Sequence, residues 1–285
     1  MRFVLYPTAL VTAFALGGCS FVAERDGAPA SAGSVAVAMP GTPSPEPRSR
    51  YGNPEFYEVA GERYYVMKTS NGYTERGVAS WYGSKFHGKR TSSGEPYDMY
   101  AVSAAHKSLP LPTWVRVTHL GNGRSLVLRV NDRGPFVDNR IIDLSYAAAR
   151  ELDMIGTGTA LVEVTALSFE KADSAGQMVD TREVQGGGTP APTSPPPTAS
   201  APAATEPLFL QTGAFSEATN ANRQRERLIA AGIAPTFVEP GSSSDNTVTL
   251  YRVRIGPIDN VAEYDALQTQ LQALGIDSAR LVSVE

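Results

Sequence analysis

Cysteine is nearly absent from this sequence of 285 residues: Cys19 is the single example, and histidine occurs only three times. One cysteine excludes a disulfide scaffold, and the scarcity of both residue types argues against a zinc site built from them. Positive charge is not in excess either, since 25 Lys and Arg face 29 Asp and Glu and the net charge is −4. This charge balance argues against nucleic acid as a partner.

The first nineteen residues have the pattern of an export signal. Arg2 precedes an apolar run over residues 3–16, which is shorter than the roughly 20 residues that span a bilayer. The tetrapeptide LGGC at 16–19 resembles the bacterial lipobox, which implies that Cys19 becomes the lipidated N-terminus. Ser20, where Asp would imply retention in the inner membrane, implies the periplasmic face of the outer membrane. The alternative is an ordinary signal peptide followed by a chance cysteine.

Composition divides the rest of the chain into modules and linkers. Two stretches rich in Pro, Ala, Gly and Ser lack helical and strand periodicity, and such stretches cannot bury enough apolar surface to stay folded. We therefore expect a lipoprotein signal peptide at 1–18, a disordered tether at 19–54, a folded module at 55–170, a disordered linker at 171–206 and a second folded module at 207–285.

Short strands dominate the first module. Two segments of alternating polarity, 114–118 and 125–130, flank a turn at 121–123 and predict a β-hairpin. A further strand is expected at 161–167, and one short helix at 146–152 after its N-cap, Ser145. Many short strands with a single small helix are typical of a compact β-barrel.

Six motifs in this module resemble the rare lipoprotein A family. In chain order they are GVASWYG at 77–83, FHG at 86–88, TSSGE at 91–95, AAHKSLP at 104–110, VNDRGPF at 130–136 and RIIDLS at 140–145. The resemblance implies an all-β double-psi β-barrel. It also implies lytic cleavage of peptidoglycan between N-acetylmuramic acid and N-acetylglucosamine, which leaves an anhydro-muramic end. Ser92, where family members often have alanine, is expected to have no chemical role.

Glycoside cleavage needs an acid that protonates the leaving oxygen. In lytic cleavage the sugar's own hydroxymethyl oxygen attacks, so one carboxyl group can act as acid and then as base. The resemblance makes Asp132 this acid, whereas spacing alone leaves open that it shapes a turn or pairs with Arg133 or Arg140. The resemblance also implies catalytic roles for Glu95 and His106. We expect all three to face one groove, in which Glu95 shares a proton with Asp132.

Three further residues are candidates for binding the sugar. They are Tyr82 as a stacking platform, His87 in the FHG motif, and Arg133 beside Asp132. His87, His106 and Asp132 could in principle ligate a metal, but the chain has no closely spaced histidine pair. We therefore expect neither a metal site nor a cofactor.

The second module contains an internal repeat of strand, helix and strand. Strands are expected at 209–214, 235–238, 247–255 and 279–284, and helices at 217–231 and 262–274. Two such units predict an RNP-like α+β fold, the split-βαβ sandwich, whose helices cover one sheet face and leave the other open. With six arginines, no lysine and ten acidic residues from position 206 onward, the module is unsuited to binding RNA phosphates.

Two motifs of this module, QTGAF at 211–215 and YRVRIGP at 251–257, resemble the signatures of SPOR domains. The resemblance implies binding to glycan strands that lack stem peptides, as found at division septa. Strand alternation places Arg252 and Arg254 on one face, and we assign them to the open face as sugar-binding residues. Gln211 and Phe215 share a parity and are assigned to the same face. The alternative is an ordinary solvated strand face.

The favoured function is an endolytic transglycosylase that is lipid-anchored and enriched at the septum. Its expected partners are peptidoglycan glycan strands, the membrane and septal division proteins. The alternative is a non-catalytic septal wall-binding or wall-loosening lipoprotein, because an expansin-like barrel can keep an aspartate without cleaving. A metallopeptidase of the wall would need a metal site that the sequence does not indicate.

Overall fold

The structure is a computed structural model that describes residues 27–29, 38–137, 139–169, 207–242 and 248–283. Cys19 and the predicted linker at 171–206 lie outside these ranges. In chain order, the described elements are β1 Phe56–Val59, β2 Glu62–Tyr65, β3 Thr74–Tyr82, β4 Ser103–His106, β5 Thr113–His119, β6 Ser125–Asp132, β7 Arg140–Ser145, α1 Tyr146–Glu151, β8 Ala160–Ala166, β9 Leu208–Phe215, α2 Ala218–Ala230, β10 Thr236–Ser242, β11 Thr249–Ile255, α3 Val261–Ala273 and β12 Arg280–Ser283.

Six strands of the first module close into a barrel in the order β3-β7-β4-β6-β5-β8. The pairs β3–β7 and β4–β6 are parallel, and the other four pairs are antiparallel. This is the predicted double-psi β-barrel. The predicted hairpin is confirmed as β5 and β6, and the predicted helix as α1, whose N-cap Ser145 accepts a hydrogen bond from Ala148 N.

Strand alternation explains why the barrel has an apolar interior. Val115 and Val117 on β5 and Leu128 and Val130 on β6 are all 0% exposed. Residues two apart on a strand share a face, so these apolar side chains all point inward and the polar ones between them point outward. The outward face of β6 therefore carries the residues that are available for chemistry.

Residues 38–54 differ from the predicted disordered tether, because they lie along the barrel. The backbone of Ala38 bonds to Tyr100 and Val102, and Ser49 N donates to Leu111 O at 2.8 Å. Asn53 accepts from Leu111 N at 2.8 Å and donates to Leu111 O at 2.7 Å. Backbone hydrogen bonds and the side chain of Asn53 thus tie this stretch to the barrel, without the apolar periodicity from which sequence reasoning predicts structure.

The hairpin of β1 and β2 lies outside the barrel and carries an aromatic cluster. Tyr57 and Tyr64 stack with ring centroids 5.3 Å apart, and both rings contact Phe136, which follows β6. Phe56 and Tyr65 lie on the opposite, exposed face of the hairpin.

The second module has the predicted α+β architecture. Its antiparallel sheet has the order β10-β11-β9-β12, which is the order of a split-βαβ fold. Leu210, Val253 and Ile255 of the sheet form a buried core with Leu228 of α2 and Leu271 of α3. Among the described helices, none is long and apolar enough to cross a membrane.

Candidate active site

Asp132, the last residue of β6, is a carboxylate anchored at the edge of the barrel. Its Oδ1 accepts hydrogen bonds from Ser92 N at 2.8 Å, from Ser92 Oγ at 2.7 Å and from Arg133 N at 2.7 Å. Within the described part of the chain, every hydrogen bond to this carboxylate falls on Oδ1. The side chain is half-buried, and its Oδ2 is therefore available to carry a proton or to accept from a sugar hydroxyl.

The loop at 91–95 holds these donors in place. Thr91 closes the loop by donating from its backbone N to Glu95 O at 2.7 Å and from its hydroxyl at 3.0 Å. Ser93 N donates to Asn131 O at 3.2 Å, which ties the loop to the end of β6. The prediction that Ser92 has no chemical role is wrong, because its hydroxyl binds the candidate acid directly.

Glu95 contacts Asn131, the residue that precedes Asp132 on β6. Its two carboxylate oxygens accept from one guanidinium nitrogen of Arg129 at 2.9 and 2.8 Å, and Asn131 Nδ2 donates to Oε2 at 2.9 Å. The structure thus places Glu95 at the same barrel edge as Asp132. It pairs Glu95 with Arg129 and Asn131, however, rather than with Asp132 as the shared-proton hypothesis requires.

Arg129 joins Glu95 to a second carboxylate that comes from the upstream segment. Glu46 accepts from Arg129 Nε at 2.9 Å and NH2 at 2.8 Å, and also from Trp114 Nε1 at 2.7 Å. The hydrogen bond to Arg129 lowers the pKa of Glu46. Burial alone would lower the pKa of Arg129, but the two carboxylates outweigh this effect and raise it. The pair of carboxylates and the single guanidinium together carry net negative charge.

His106 is buried and belongs to a separate hydrogen-bond network. Its Nδ1 accepts from Ser108 N at 3.1 Å and Leu109 N at 3.0 Å, which assigns the ring proton to Nε2. Nε2 lies 2.7 Å from the hydroxyl of Tyr73, which in turn donates to Glu75 at 2.6 Å. Burial, with help from the charges of Arg133 and Lys107, lowers the pKa of His106 to about 3.

Strand register turns His106 away from the candidate acid. Ala105 is the partner of Asp132 in the β4–β6 pair, and successive residues of a strand point to opposite faces. The expectation that His106 joins Glu95 and Asp132 in one groove is therefore corrected: His106 holds the loop after β4 in its neutral form.

Two of the three predicted sugar-binding residues have structural contacts instead. Tyr82 is 8% exposed and stacks on Tyr97 with ring centroids 4.2 Å apart, so its ring presents no open face to a sugar. Arg133 donates to the backbone carbonyls of Gly52 at 2.9 and 2.6 Å and of Leu109 at 2.6 Å. Both predictions are corrected: Tyr82 packs inside the barrel module, and Arg133 joins chain segments.

His87 is the third predicted sugar-binding residue, and it remains exposed. It lies in the loop after β3, where its Nδ1 accepts from Met99 N at 3.2 Å and lies 3.7 Å from Asp98 Oδ1. The three residues considered as metal ligands, His87, His106 and Asp132, do not come together. Within the described ranges, no group of three His, Cys, Asp or Glu residues could hold a metal ion.

Sequence reasoning missed Arg129 and Glu46. Arg129 and Asn131 are two apart on β6, so alternation places both on the outward face, whereas Asp132 reaches that edge through the register shift of the β4–β6 pair. The face shared with Asn131, the neighbour of Asp132, is the signal that could have identified Arg129. Glu46 could not have been found in the same way. It lies in a proline-rich stretch with no period, more than eighty positions from Arg129 along the chain.

The sheet face of the second module brings together three of the four predicted glycan-binding residues. Gln211 is the register partner of Arg254, which pairs with Glu239, and Arg252 donates to Ser242 O at 2.6 Å. Gln211, Arg252 and Arg254 line a cleft of about 1060 Å³ that borders β3 of the barrel.

Phe215 does not share this face. A register shift between Val253 and Arg254 changes the parity along β9, so Phe215 packs toward the helix-covered core. The predicted role of Phe215 on the open face is therefore corrected. Phe209 and Phe237, which sequence reasoning passed over, lie edge to face on the side of Gln211, with ring centroids 5.4 Å apart.

Comparison with known proteins gives matches for both modules. The family profile described as "Lytic transglycolase" matches residues 74–164, and the SPOR domain profile matches residues 204–281. The endolytic peptidoglycan transglycosylase RlpA of Pseudomonas aeruginosa (strain UCBPP-PA14) is 37% identical over 292 residues, covering 91% of this chain and 84% of its own length. RlpA of Vibrio cholerae serotype O1 is 37% identical over 293 residues, covering 99% of this chain and 97% of its own.

Among solved structures, the crystal structure of the RlpA SPOR domain from Pseudomonas aeruginosa shares 30% identity with this chain. The match covers 27% of this chain and 99% of that domain, with a TM-score of 0.25.

Protonation of His106 should destabilise the barrel at low pH. Its pKa falls from 6.5 to about 3 on folding, so between these values the unfolded chain binds the proton more readily. The stability that depends on the neutral ring is complete above pH 6.5 and is lost toward pH 3, by on the order of 4–5 kcal/mol. Both tryptophans, Trp81 and Trp114, lie in the barrel, so their fluorescence monitors its unfolding. The variant His106→Asn should show a flatter dependence on pH, and identical slopes would contradict this assignment.

Proposed function

This chain belongs to the RlpA family, and on that premise we propose that it is an endolytic lytic transglycosylase that cleaves peptidoglycan glycan strands. The observation that carries the proposal is the anchoring of Asp132. Three donors hold Oδ1, and within the described residues Oδ2 has no hydrogen bond. A proton-transferring group held at one oxygen and available at the other is what general acid–base catalysis requires.

The reaction uses one carboxyl group twice, first as an acid and then as a base. Protonated at Oδ2, Asp132 donates to the glycosidic oxygen between the muramic acid and glucosamine units as the bond from C1 to that oxygen breaks. The C6 hydroxymethyl oxygen of the same muramic acid then bonds to C1, and its proton passes to Oδ2. The acid is regenerated and no water is consumed, so the product carries an anhydro-muramic end.

The neighbouring charge cluster favours the transition state. Breaking the glycosidic bond develops positive charge on the sugar ring. Glu95 presents a carboxylate whose orientation is fixed by Arg129 and Asn131, and Glu46 makes the cluster negative overall. Fixed negative charge beside a developing cation lowers its free energy without reorganisation during the reaction.

Replacing the acid without changing its shape tests this proposal. Asp132→Asn can still accept from Ser92 but cannot deliver a proton, so cleavage of purified glycan strands should fall by roughly 100-fold or more. Asp153→Asn is the matched control, because Asp153 is an exposed aspartate of the same module that pairs with Arg124. Unchanged tryptophan fluorescence would show that both variants are folded. A folded Asp132→Asn protein that cuts at the normal rate would refute the proposed acid, and a wild-type chain that cuts nothing would favour the non-catalytic wall-binding alternative.

We propose further that Cys19 carries a lipid anchor at the outer membrane and that the second module concentrates the protein at the septum. The lipobox at 16–19 supports the anchor. The SPOR profile match, together with the clustering of Gln211, Arg252 and Arg254 on one sheet face, supports glycan binding. We therefore expect septal division proteins to be partners of this protein.

Mutations should abolish the lipid anchor and the septal enrichment independently of each other. The Cys19→Ala variant of a full-length fluorescent fusion should be lost from the membrane fraction, because it lacks the thiol that accepts the lipid. The double variant Arg252→Ala/Arg254→Ala should stay in the membrane fraction and lose septal enrichment, because its sheet loses charged donors and keeps its core. Cell fractionation and fluorescence microscopy of the same strains measure the two effects. Normal membrane fractionation of Cys19→Ala, or full septal enrichment of a folded double variant, would contradict the corresponding signal.

A further inference from the structure

An exposed aromatic side chain lies beside the candidate acid in a segment predicted to be a tether. Tyr51 is 56% exposed. A Cβ placed on Gly94 would lie 3.2 Å from Cδ2 of Tyr51, so the ring lies against the loop at 91–95. This loop contains Ser92, which binds Asp132, and Glu95. Tyr51 therefore packs on the loop that carries Glu95 and binds Asp132.

The segment that carries Tyr51 is fixed on both sides of it. We call residues 46–53 the N-terminal strap. On one side, Ser49 Oγ donates to Ser93 O at 3.0 Å. On the other, Gly52 O accepts from Arg133 Nε at 2.9 Å and NH2 at 2.6 Å. The backbone on both sides of the ring is thus held in place, and the guanidinium of Arg50 lies over the ring, 5.8 Å from its centroid.

The surroundings of Gly52 show how closely the strap approaches the loop at 91–95. Its φ is +77°, and an added Cβ would lie 2.7 Å from Ser92 O and 2.9 Å from Leu111 Cδ1. Only glycine fits this conformation and this space without displacement. At its start, the strap is tied to β6 through the contacts of Glu46 with Arg129.

Single exposed aromatic residues are common on protein surfaces and need no special explanation. Tyr51 differs from Tyr65, which is 63% exposed on the outer face of the β1–β2 hairpin, because the backbone beside Tyr51 is held against the loop at 91–95, which binds Asp132 and carries Glu95. A preorganised ring loses little conformational freedom when a ligand packs on it. Its position and exposure are those of a binding residue.

We propose that Tyr51 is a stacking platform for one pyranose ring of the glycan strand, and that the N-terminal strap forms one wall of the groove. The chemical class of the ligand rests on the proposed function. A pyranose ring has an apolar face of C–H groups and a rim of hydroxyls, which matches a tyrosine ring that is apolar across its face and polar at its tip. The platform takes the role that sequence reasoning assigned to Tyr82, whose ring is buried.

Kinetics of the full-length protein on glycan strands without stem peptides provide the first test. Tyr51→Ala should raise KM by roughly 3- to 10-fold and leave kcat nearly unchanged, because stacking binds the substrate without touching the reacting atoms. Tyr51→Trp should keep KM close to that of the wild type, since it retains a flat ring. Tyr65→Ala removes an equally exposed tyrosine and should change neither constant. An unchanged KM for Tyr51→Ala would overturn the proposal.

Binding without cleavage provides the second test. The full-length Asp132→Asn protein, labelled with carbon-13 in its tyrosine rings, is titrated with the same strands and followed by NMR. The signal that disappears in Tyr51→Phe identifies Tyr51, and it should shift on titration while the signal of Tyr65 stays in place. A stationary Tyr51 signal would overturn the stacking platform.

The two tests separate this inference from the proposed function. If the wild-type chain cuts no strands but the Tyr51 signal shifts, the proposed cleavage is refuted and the platform stands. If the chain cuts strands but neither KM nor the Tyr51 signal responds, the platform is refuted and the cleavage stands.

Discussion

The geometry of the candidate site depends on the hydrogen bonds that the guanidinium of Arg133 donates. This group donates to the backbone carbonyls of Gly52 and Leu109, and at 3.2 Å to that of His106, so it joins the strap to the chain that follows β4. Burial lowers its pKa to about 10, which still leaves it charged near neutral pH. Hydrogen bonds from a charged donor contribute about 1.5–3 kcal/mol each, and unpaired carbonyls here would cost free energy. Its own backbone N–H completes the set of donors to Asp132.

Around this contact, residues from distant parts of the chain supply what glycosidic cleavage needs: an acid, fixed negative charge and a surface that binds the sugar. Asp132 at the end of β6 has one anchored oxygen and one that can exchange a proton. Glu95 and Glu46 supply negative charge, which Arg129 holds in place. Tyr51 supplies a surface for the sugar on the inferred wall of the groove. The strap contributes to the second and third of these roles, although it lies outside the residues matched by the transglycolase profile.

Sequence reasoning succeeded where structure follows from local periodicity. The β5–β6 hairpin, helix α1 and the repeated units of the second module all follow from alternation, caps and turns. The errors have long-range or single-residue causes. The strap depends on polar contacts to distant carbonyls, His106 is turned away by strand parity, and Phe215 changes face at an irregularity of register. The contact between Ser92 and Asp132 spans 40 positions, so no local pattern reveals it.

The proposed reaction at Asp132 cleaves glycan strands by internal attack of the sugar hydroxymethyl group. The most direct measurement is mass spectrometry of the products that the full-length protein releases from purified strands, in water labelled with heavy oxygen. Internal attack should give anhydro-muramic ends that contain no label, because no water enters the reaction. Labelled reducing ends would contradict it, since they would show that water is the nucleophile.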